Sequence, residues 1–368
     1  MSARNRPNII LIMTDQQRFD TIRAHGYTHM TTPAMDRIAN EGVSFRRAFC
    51  CGATCIVSRA AMFTGLYAHN TGAYSFYPWS HQRSWVHDLR DAGYHCVNIG
   101  KMHLDPKYDE HAFHERVVVE NPSKPTTAWG EVDDDWGRFL ALHGHKRIGL
   151  RHKSDPDWRG RFQGVPWHLE ERFHPDVYVG NEALGWINRH VPQEPVFLQI
   201  GFTGPHEPYD PLERHLEMYN DVQIPPPLRR EGELADKPEQ QAVHLDFNDR
   251  FNHECALALP EARDEDIEHM RRHYYAKVTT VDEKIGEILD RLESAGYLND
   301  AIVIFTSDHG DMLGDHWLPY KWFMYDTVVN VPMIIWDRRH GSGRETAGTR
   351  VDDLASQIDL GPTILDAA

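Results

Sequence analysis

Asn8-Ile9-Ile10-Leu11-Ile12-Met13 is an unbroken apolar run that stops at Thr14-Asp15-Gln16-Gln17. Continuous rather than alternating apolarity reads as a strand buried on both faces, the pattern of a parallel sheet covered by helices. Ala301-Ile302-Val303-Ile304-Phe305 repeats the design and stops at Thr306-Ser307-Asp308-His309-Gly310-Asp311. In open α/β sheets the ligand crevice lies beyond the carboxyl ends of the strands, so Asp15, Gln16, Asp308 and His309 are placed to converge on one divalent cation. A single aspartate after a strand is ordinarily a turn former or helix cap. Two matching strand ends favour a shared site.

Between them lies Cys55-Ile56-Val57-Ser58-Arg59, running on into Ala60-Ala61-Met62-Phe63-Thr64-Gly65. Ser58 reads as the cap of a helix with Arg59 in its first turn and an apolar body, which leaves Cys55 at the helix mouth. Backbone N–H groups, the positive end of the dipole and a guanidinium would then face whatever anion binds there, and a tetrahedral oxyanion is the natural guest. Taken alone, C-x-x-x-R is more often a buried cysteine beside a surface arginine, because short motifs recur by chance. The strand ends on either side shift the balance toward a site.

With these motifs in order the chain resembles the type I sulfatases and phosphonate monoester hydrolases of the alkaline-phosphatase-like superfamily. The segments Thr14 to Arg18, Thr32-Pro33-Ala34-Met35-Asp36-Arg37-Ile38-Ala39 and Gly42-Val43-Ser44-Phe45 match the family's opening, and the cysteine motif follows. Gly100-Lys101-Met102-His103-Leu104 resembles its lysine-and-histidine turn, Gly204-Pro205-His206-Glu207-Pro208-Tyr209 its substrate-facing histidine, Ser307 to Asp311 its second metal segment, and Lys321 its late active-site lysine. The resemblance implies an alkaline-phosphatase-like α/β fold: a large mixed, mostly parallel sheet sandwiched by helices, with long insertions over the active-site edge. It also implies a metal-dependent hydrolase of sulfate esters, with the phosphonate monoester or phosphodiester hydrolases as the alternative and a noncatalytic anion-binding relative behind both.

On this resemblance Cys55 is converted to formylglycine (3-oxoalanine) by a formylglycine-generating enzyme, and the hydrated aldehyde is the nucleophile. Asp15, Gln16, Asp308 and His309, with an oxygen from modified Cys55, hold one divalent cation: calcium first, manganese or magnesium as alternatives. Arg59 steadies the nucleophile, while Lys101, His206 and Lys321 bind the nonbridging oxygens of an anionic small-molecule ester. His103 takes the proton that lets the product leave, and His206 or Lys321 protonates the leaving alcohol. The chain departs from the family pattern in three ways. Val57 stands where proline is usual in the signature read by the modifying enzyme. Gln16 and His309 make the metal set more like that of the phosphonate monoester hydrolases. Family members generally continue past the segment resembling Gln357 to Leu365, so the expectation is that a C-terminal subdomain is absent here and that the native product extends past Ala368 or is covered by another chain.

With 368 residues, 40% hydrophobic and 26% charged, the chain can bury a large core as one catalytic domain. A net charge of −16 argues against nonspecific binding to nucleic acid or anionic membrane, which needs a basic footprint, so an anionic substrate must be drawn by charge at the site itself. No apolar stretch approaches the roughly 20 residues of a membrane span, and Ile9 to Met13 is too short for a signal-peptide core, so cytoplasmic residence is expected. The composition leaves room for a homo-oligomer. Five cysteines, Cys50, Cys51, Cys55, Cys96 and Cys255, do not form an even disulfide framework, and Cys50 and Cys51 read as buried small hydrophobes rather than zinc ligands. Of the 24 histidines, only those inside motifs are promoted; His143, His145, His152 and His168 read as ordinary.

Helical periodicity covers Met35 to Glu41, Ser58 to Thr64, Trp85 to Ala92, Pro175 to Arg189 and Glu265 to Ser294. Further strands are expected at Tyr94 to Ile99, Pro195 to Gly201 and Val331 to Trp336. Residues 105–167 and 210–252 lose periodicity and read as insertions over the active-site edge, where loops set specificity. Asp311, Asp315 and His316 are candidates only for supporting roles around the metal.

Overall fold

The computed structural model describes residues 6–75, 78–121, 134–147, 161–191, 194–250, 262–339 and 344–368. Cys255, His152 and parts of both expected insertions lie outside them. Among the described residues eight strands form one sheet: β1 Asn8–Asp15, β2 Val43–Phe49, β3 His95–Gly100, β4 Glu115–Val118, β5 Val196–Pro205, β6 Ala301–Ser307, β7 Met333–Asp337 and β8 Thr349–Ser356. Their order is β4-β3-β5-β1-β6-β7-β2-β8, and β7 alone runs against its neighbours. The sheet is therefore mixed and mostly parallel, as expected.

β1 sits between β5 and β6, parallel to both, with Ile10 opposite Leu198 on one side and Val303 on the other. Its run is continuous because both faces are covered. Ile10 and Ile12 join Leu198, Val303 and Phe305 against the helices Pro33–Glu41, Pro175–Arg189 and Asp264–Ser294. Ile9, Leu11 and Met13 join Phe197, Ile302 and Ile304 against Cys55–Thr64, Trp85–Asp91 and Leu360–Ala367. Each such side chain contributes about 1.5–3 kcal/mol when fully buried, which fixes the central strands and everything at their carboxyl ends. Among the described residues no helix is long and apolar enough to cross a membrane.

Three details differ from the sequence reading. The Cys55–Thr64 helix begins at Cys55, after an extended Thr54, and Ser58 lies buried inside it. Ser58 is not a cap; its hydroxyl donates to the Asp308 carbonyl at 2.6 Å and ties this helix to the end of β6. Cys50 and Cys51 are half-buried rather than buried. Residues 105–167 do not stay outside the sheet: they supply its edge strand β4 and the helix Asp135–Leu142.

Candidate active site

Four strand ends and one helix meet at a single buried point. β1 ends at Asp15, and Gln16 follows in the left-handed region at φ 69°. β6 ends at Ser307, which sets Asp308 and His309 beside them; Asp308 Oδ1 accepts the Gln16 amide at 3.0 Å. The Cys55–Thr64 helix presents Cys55 from its first position, with Sγ 3.1 Å from His309 Nε2 and 3.4 Å from Asp15 Oδ1. One ligand atom from each of Asp15, Cys55, Asp308 and His309 lies within 4.8 Å of all the others. Every one of these side chains is buried.

Basic side chains surround the cluster. Lys101, after β3, bonds Asp15 Oδ2 through Nζ. Lys321 Nζ donates to Gln16 Oε1 at 2.6 Å and approaches Cys55 Sγ at 3.2 Å. Arg59 donates from Nε to Asp308 Oδ2 at 2.8 Å and from Nη1 to the Lys101 carbonyl at 2.9 Å, while its Nη2 is buried with no hydrogen-bond partner among the described residues. An orphaned guanidinium nitrogen inside a closed site marks a position for an acceptor. His206, after β5, bonds the Asp15 carbonyl through its amide at 3.0 Å, and its Nδ1 lies 2.8 Å from the Glu207 carbonyl oxygen. His103 sits in the turn after Lys101 at φ 62°, its amide donating to Glu120 Oε1 at 2.9 Å.

The electrostatics follow from burial and these neighbours. Burial alone would raise the Asp15 carboxyl, but Lys101, His206, Lys321 and Arg59 outweigh it and hold it well below the usual carboxylate range. Burial and Asp15 push the Cys55 thiol up to about 11, against the pull of Lys101 and Lys321. Burial also lowers Lys321, yet Cys55, Glu207, Asp15 and Asp308 prevail and raise it above the usual lysine range. His206 is held well below the ordinary histidine range by burial and by Lys321, and His309 is lowered first by burial. The unmodified cysteine is thus a protonated thiol at neutral pH, a poor nucleophile.

The sequence reading missed Glu207, Glu120 and Tyr209 and set Asp311 aside. Glu207 Oε2 and Asp311 Oδ2 both accept from Gln16 Nε2, at 2.8 and 2.6 Å, and the Tyr209 hydroxyl donates to Asp311 Oδ2 at 2.8 Å. Burial raises Glu207, and burial with Glu207 pushes Asp311 up to about 6. Glu207 and Tyr209 stand in the His206 motif, a signal that was present; Glu120, reached only through tertiary contact, had none. Asp315 and His316 brace the surrounding loop instead: Asp315 accepts from Arg18 at 2.8 Å and Arg271 at 2.5 Å, and His316 pairs with Glu233.

With a mostly parallel sheet and a buried carboxylate, imidazole, thiol and lysine cluster at its carboxyl edge, the chain is an alkaline-phosphatase-like hydrolase, as its likeness to known proteins shows. A family model described as Sulfatase matches residues 7–368, and the chain belongs to that family. It is 32% identical over 379 residues to an arylsulfatase of Clostridium perfringens, covering 99% of this chain and 75% of that protein. An N-acetylglucosamine-6-O-sulfatase of Bacteroides thetaiotaomicron is 27% identical, covering 99% of this chain and 68% of the relative. The crystal structure of the phosphonate monoester hydrolase of Agrobacterium radiobacter superposes with a TM-score of 0.78 at 26% identity, covering 98% of this chain and 73% of that one.

Proposed function

We propose that this chain is a divalent-cation-dependent hydrolase of sulfate esters whose nucleophile is formylglycine made from Cys55. The observation that carries the reading is the buried convergence of Asp15, Cys55, Asp308 and His309 within 4.8 Å, ringed by Arg59, Lys101 and Lys321. Two carboxylates, an imidazole and the carboxamide oxygen of Gln16 suit a hard to borderline cation, calcium first and manganese or magnesium next. Such a cation supplies charge for the ester oxygens and lowers the pKa of a hydroxyl beside it. Oxidation of Cys55 to the aldehyde supplies, on hydration, a hydroxyl in place of a thiol that burial keeps protonated.

The chain's own groups divide the remaining work. Arg59 offers its unpartnered Nη2 to the nucleophilic side chain or to a nonbridging oxygen, while Nε and Nη1 stay tied to Asp308 and Lys101. Lys101, Lys321 and a ring N–H of His206 bind the remaining nonbridging oxygens, the two lysines concentrating positive charge where the transition state develops negative charge. Either Lys321 or His206 protonates the leaving alcohol, the one standing beside residue 55 and the other beside Asp15. His103 is the base that lets product leave residue 55, its turn held by Glu120.

The alternative, a phosphonate monoester or phosphodiester hydrolase with the same site, is favoured by Gln16 and His309 in the ligand set and by the likeness to the Agrobacterium enzyme. The test is hydrolysis of matched sulfate, phosphate diester and phosphonate esters by protein produced beside a formylglycine-generating enzyme. Sulfate monoester turnover that disappears in Cys55→Ala is expected. Turnover that survives this substitution overturns the assignment of Cys55.

A further inference from the structure

We propose that Glu207 and Asp311 are positioning residues that fix the terminal amide of Gln16, so that its oxygen and not its nitrogen faces the cation site. The inference rests on Gln16 being a cation ligand, as argued above. A primary amide has two ends of nearly equal size, and a half-turn of its last torsion exchanges them at little steric cost. Only one end can ligate a cation.

The structure removes this ambiguity one bond at a time. The Gln16 amide donates to Asp308 Oδ1 at 3.0 Å and its carbonyl accepts the Tyr274 hydroxyl at 2.7 Å, which pins the backbone at its positive φ. The two hydrogens on Nε2 then have two carboxylate partners, Glu207 Oε2 at 2.8 Å and Asp311 Oδ2 at 2.6 Å. Neither carboxylate could accept from the oxygen end, so Oε1 is turned to the opposite side, where Lys321 Nζ meets it at 2.6 Å. The clamp is itself held. Asp311 Oδ1 accepts the Leu313 amide at 2.9 Å, and Oδ2 also takes the Tyr209 hydroxyl at 2.8 Å. Lys277 Nζ ties the Glu207 turn by donating to the carbonyls of His206 at 3.1 Å and Pro208 at 2.8 Å and to Asp210 at 2.7 Å. A carboxylate at position 16 has no N–H to give, which accounts for a glutamine here among so many acids.

The experiment titrates chelator-stripped full-length protein with Mn2+ by calorimetry. Glu207→Leu should weaken Mn2+ binding about tenfold or more, the usual effect of removing a partner that orients a ligand, whereas Glu207→Gln keeps a carbonyl acceptor and should stay within about threefold of the parent. Tyr209→Phe frees Asp311 without opening a cavity and should give a smaller loss, about threefold, so the test survives if Glu207→Leu fails to fold. Because the clamp acts through Gln16, Glu207→Leu should cost nothing further in a Gln16→Ala background; losses that simply add overturn it. Parental affinity in both Glu207→Leu and Tyr209→Phe, with weakened binding in Gln16→Ala, overturns the clamp and leaves the ligand reading standing. Parental affinity in Gln16→Ala overturns the ligand reading and the clamp with it.

Discussion

Arg59 illustrates how much one residue does here and how little of it a motif can state. Its Nε holds Asp308, its Nη1 holds the Lys101 carbonyl, and its Nη2 remains for an incoming acceptor. A lysine has one compact ammonium and cannot satisfy three directions from a rigid fork. Arg59→Lys should therefore lose about 10²-fold or more in kcat with the sulfate ester, the cost of removing one donor from a preorganised anion site, and ester kinetics would check it. A variant within about threefold of the parent would contradict the role. Asp15, Cys55, Asp308 and His309 were legible because each follows a strand end or opens a helix, where position alone predicts the crevice. Glu120 was not, because its carboxylate matters only through the His103 amide that folding brings to it.

At the scale of elements, Asp282 joins two helices through a buried carboxyl. It lies on Asp264–Ser294 and accepts the Ala34 and Met35 amides at 3.0 and 2.8 Å, capping Pro33–Glu41 from outside that helix. Burial pushes its carboxyl from 3.8 up to about 7, against the lowering effect of those two amides. The sign follows from linkage. Between these values the folded protein keeps a proton that the unfolded chain has released, so stability from this group is complete below about pH 4 and is lost as the pH rises through about 7. Asp282→Asn keeps one of the two acceptors and has no proton to lose. Its stability, lower in acid, should fall less steeply between about pH 5 and pH 7, by up to about 1.4 kcal/mol per pH unit, which urea melts along the pH series would measure. An unchanged slope would mean that Asp282 does not titrate there. The long periodic helices were legible in sequence, Pro175–Arg189 to the residue, because one face packs on the sheet. β8 was not: its mostly exposed residues at the sheet edge, with Arg350, Asp352 and Asp353 among them, carry no apolar run to announce a strand.

For the molecule as a whole, the sheet brings residues hundreds of positions apart to one buried point, the point proposed here to recognise a tetrahedral anion by charge and shape. The α/β class and the crevice were readable from two strand ends, but the reversed β7 and the order of the strands were not, since periodicity carries no record of which strands pair. Sulfate and phosphoryl esters differ chiefly in charge. The ring of Arg59, Lys101 and Lys321 is not built for one charge alone, and Gln16 and His309 leave fewer anionic ligands in the cluster than four carboxylates would, so a more highly charged phosphoryl transition state should be tolerated. Protein carrying formylglycine should therefore hydrolyse a sulfate monoester and also a phosphonate monoester or phosphate diester. Asp308 should anchor both activities, because it holds the Gln16 amide, the His309 amide and the Arg59 guanidinium at once. Asp308→Ala should abolish both and lose the bound metal, read by elemental analysis alongside the two assays. Full metal occupancy in that variant would remove Asp308 from the ligand set, loss of one activity without the other would place them at different sites, and refusal of every phosphoryl ester by the parent enzyme would restrict the chemistry to sulfate.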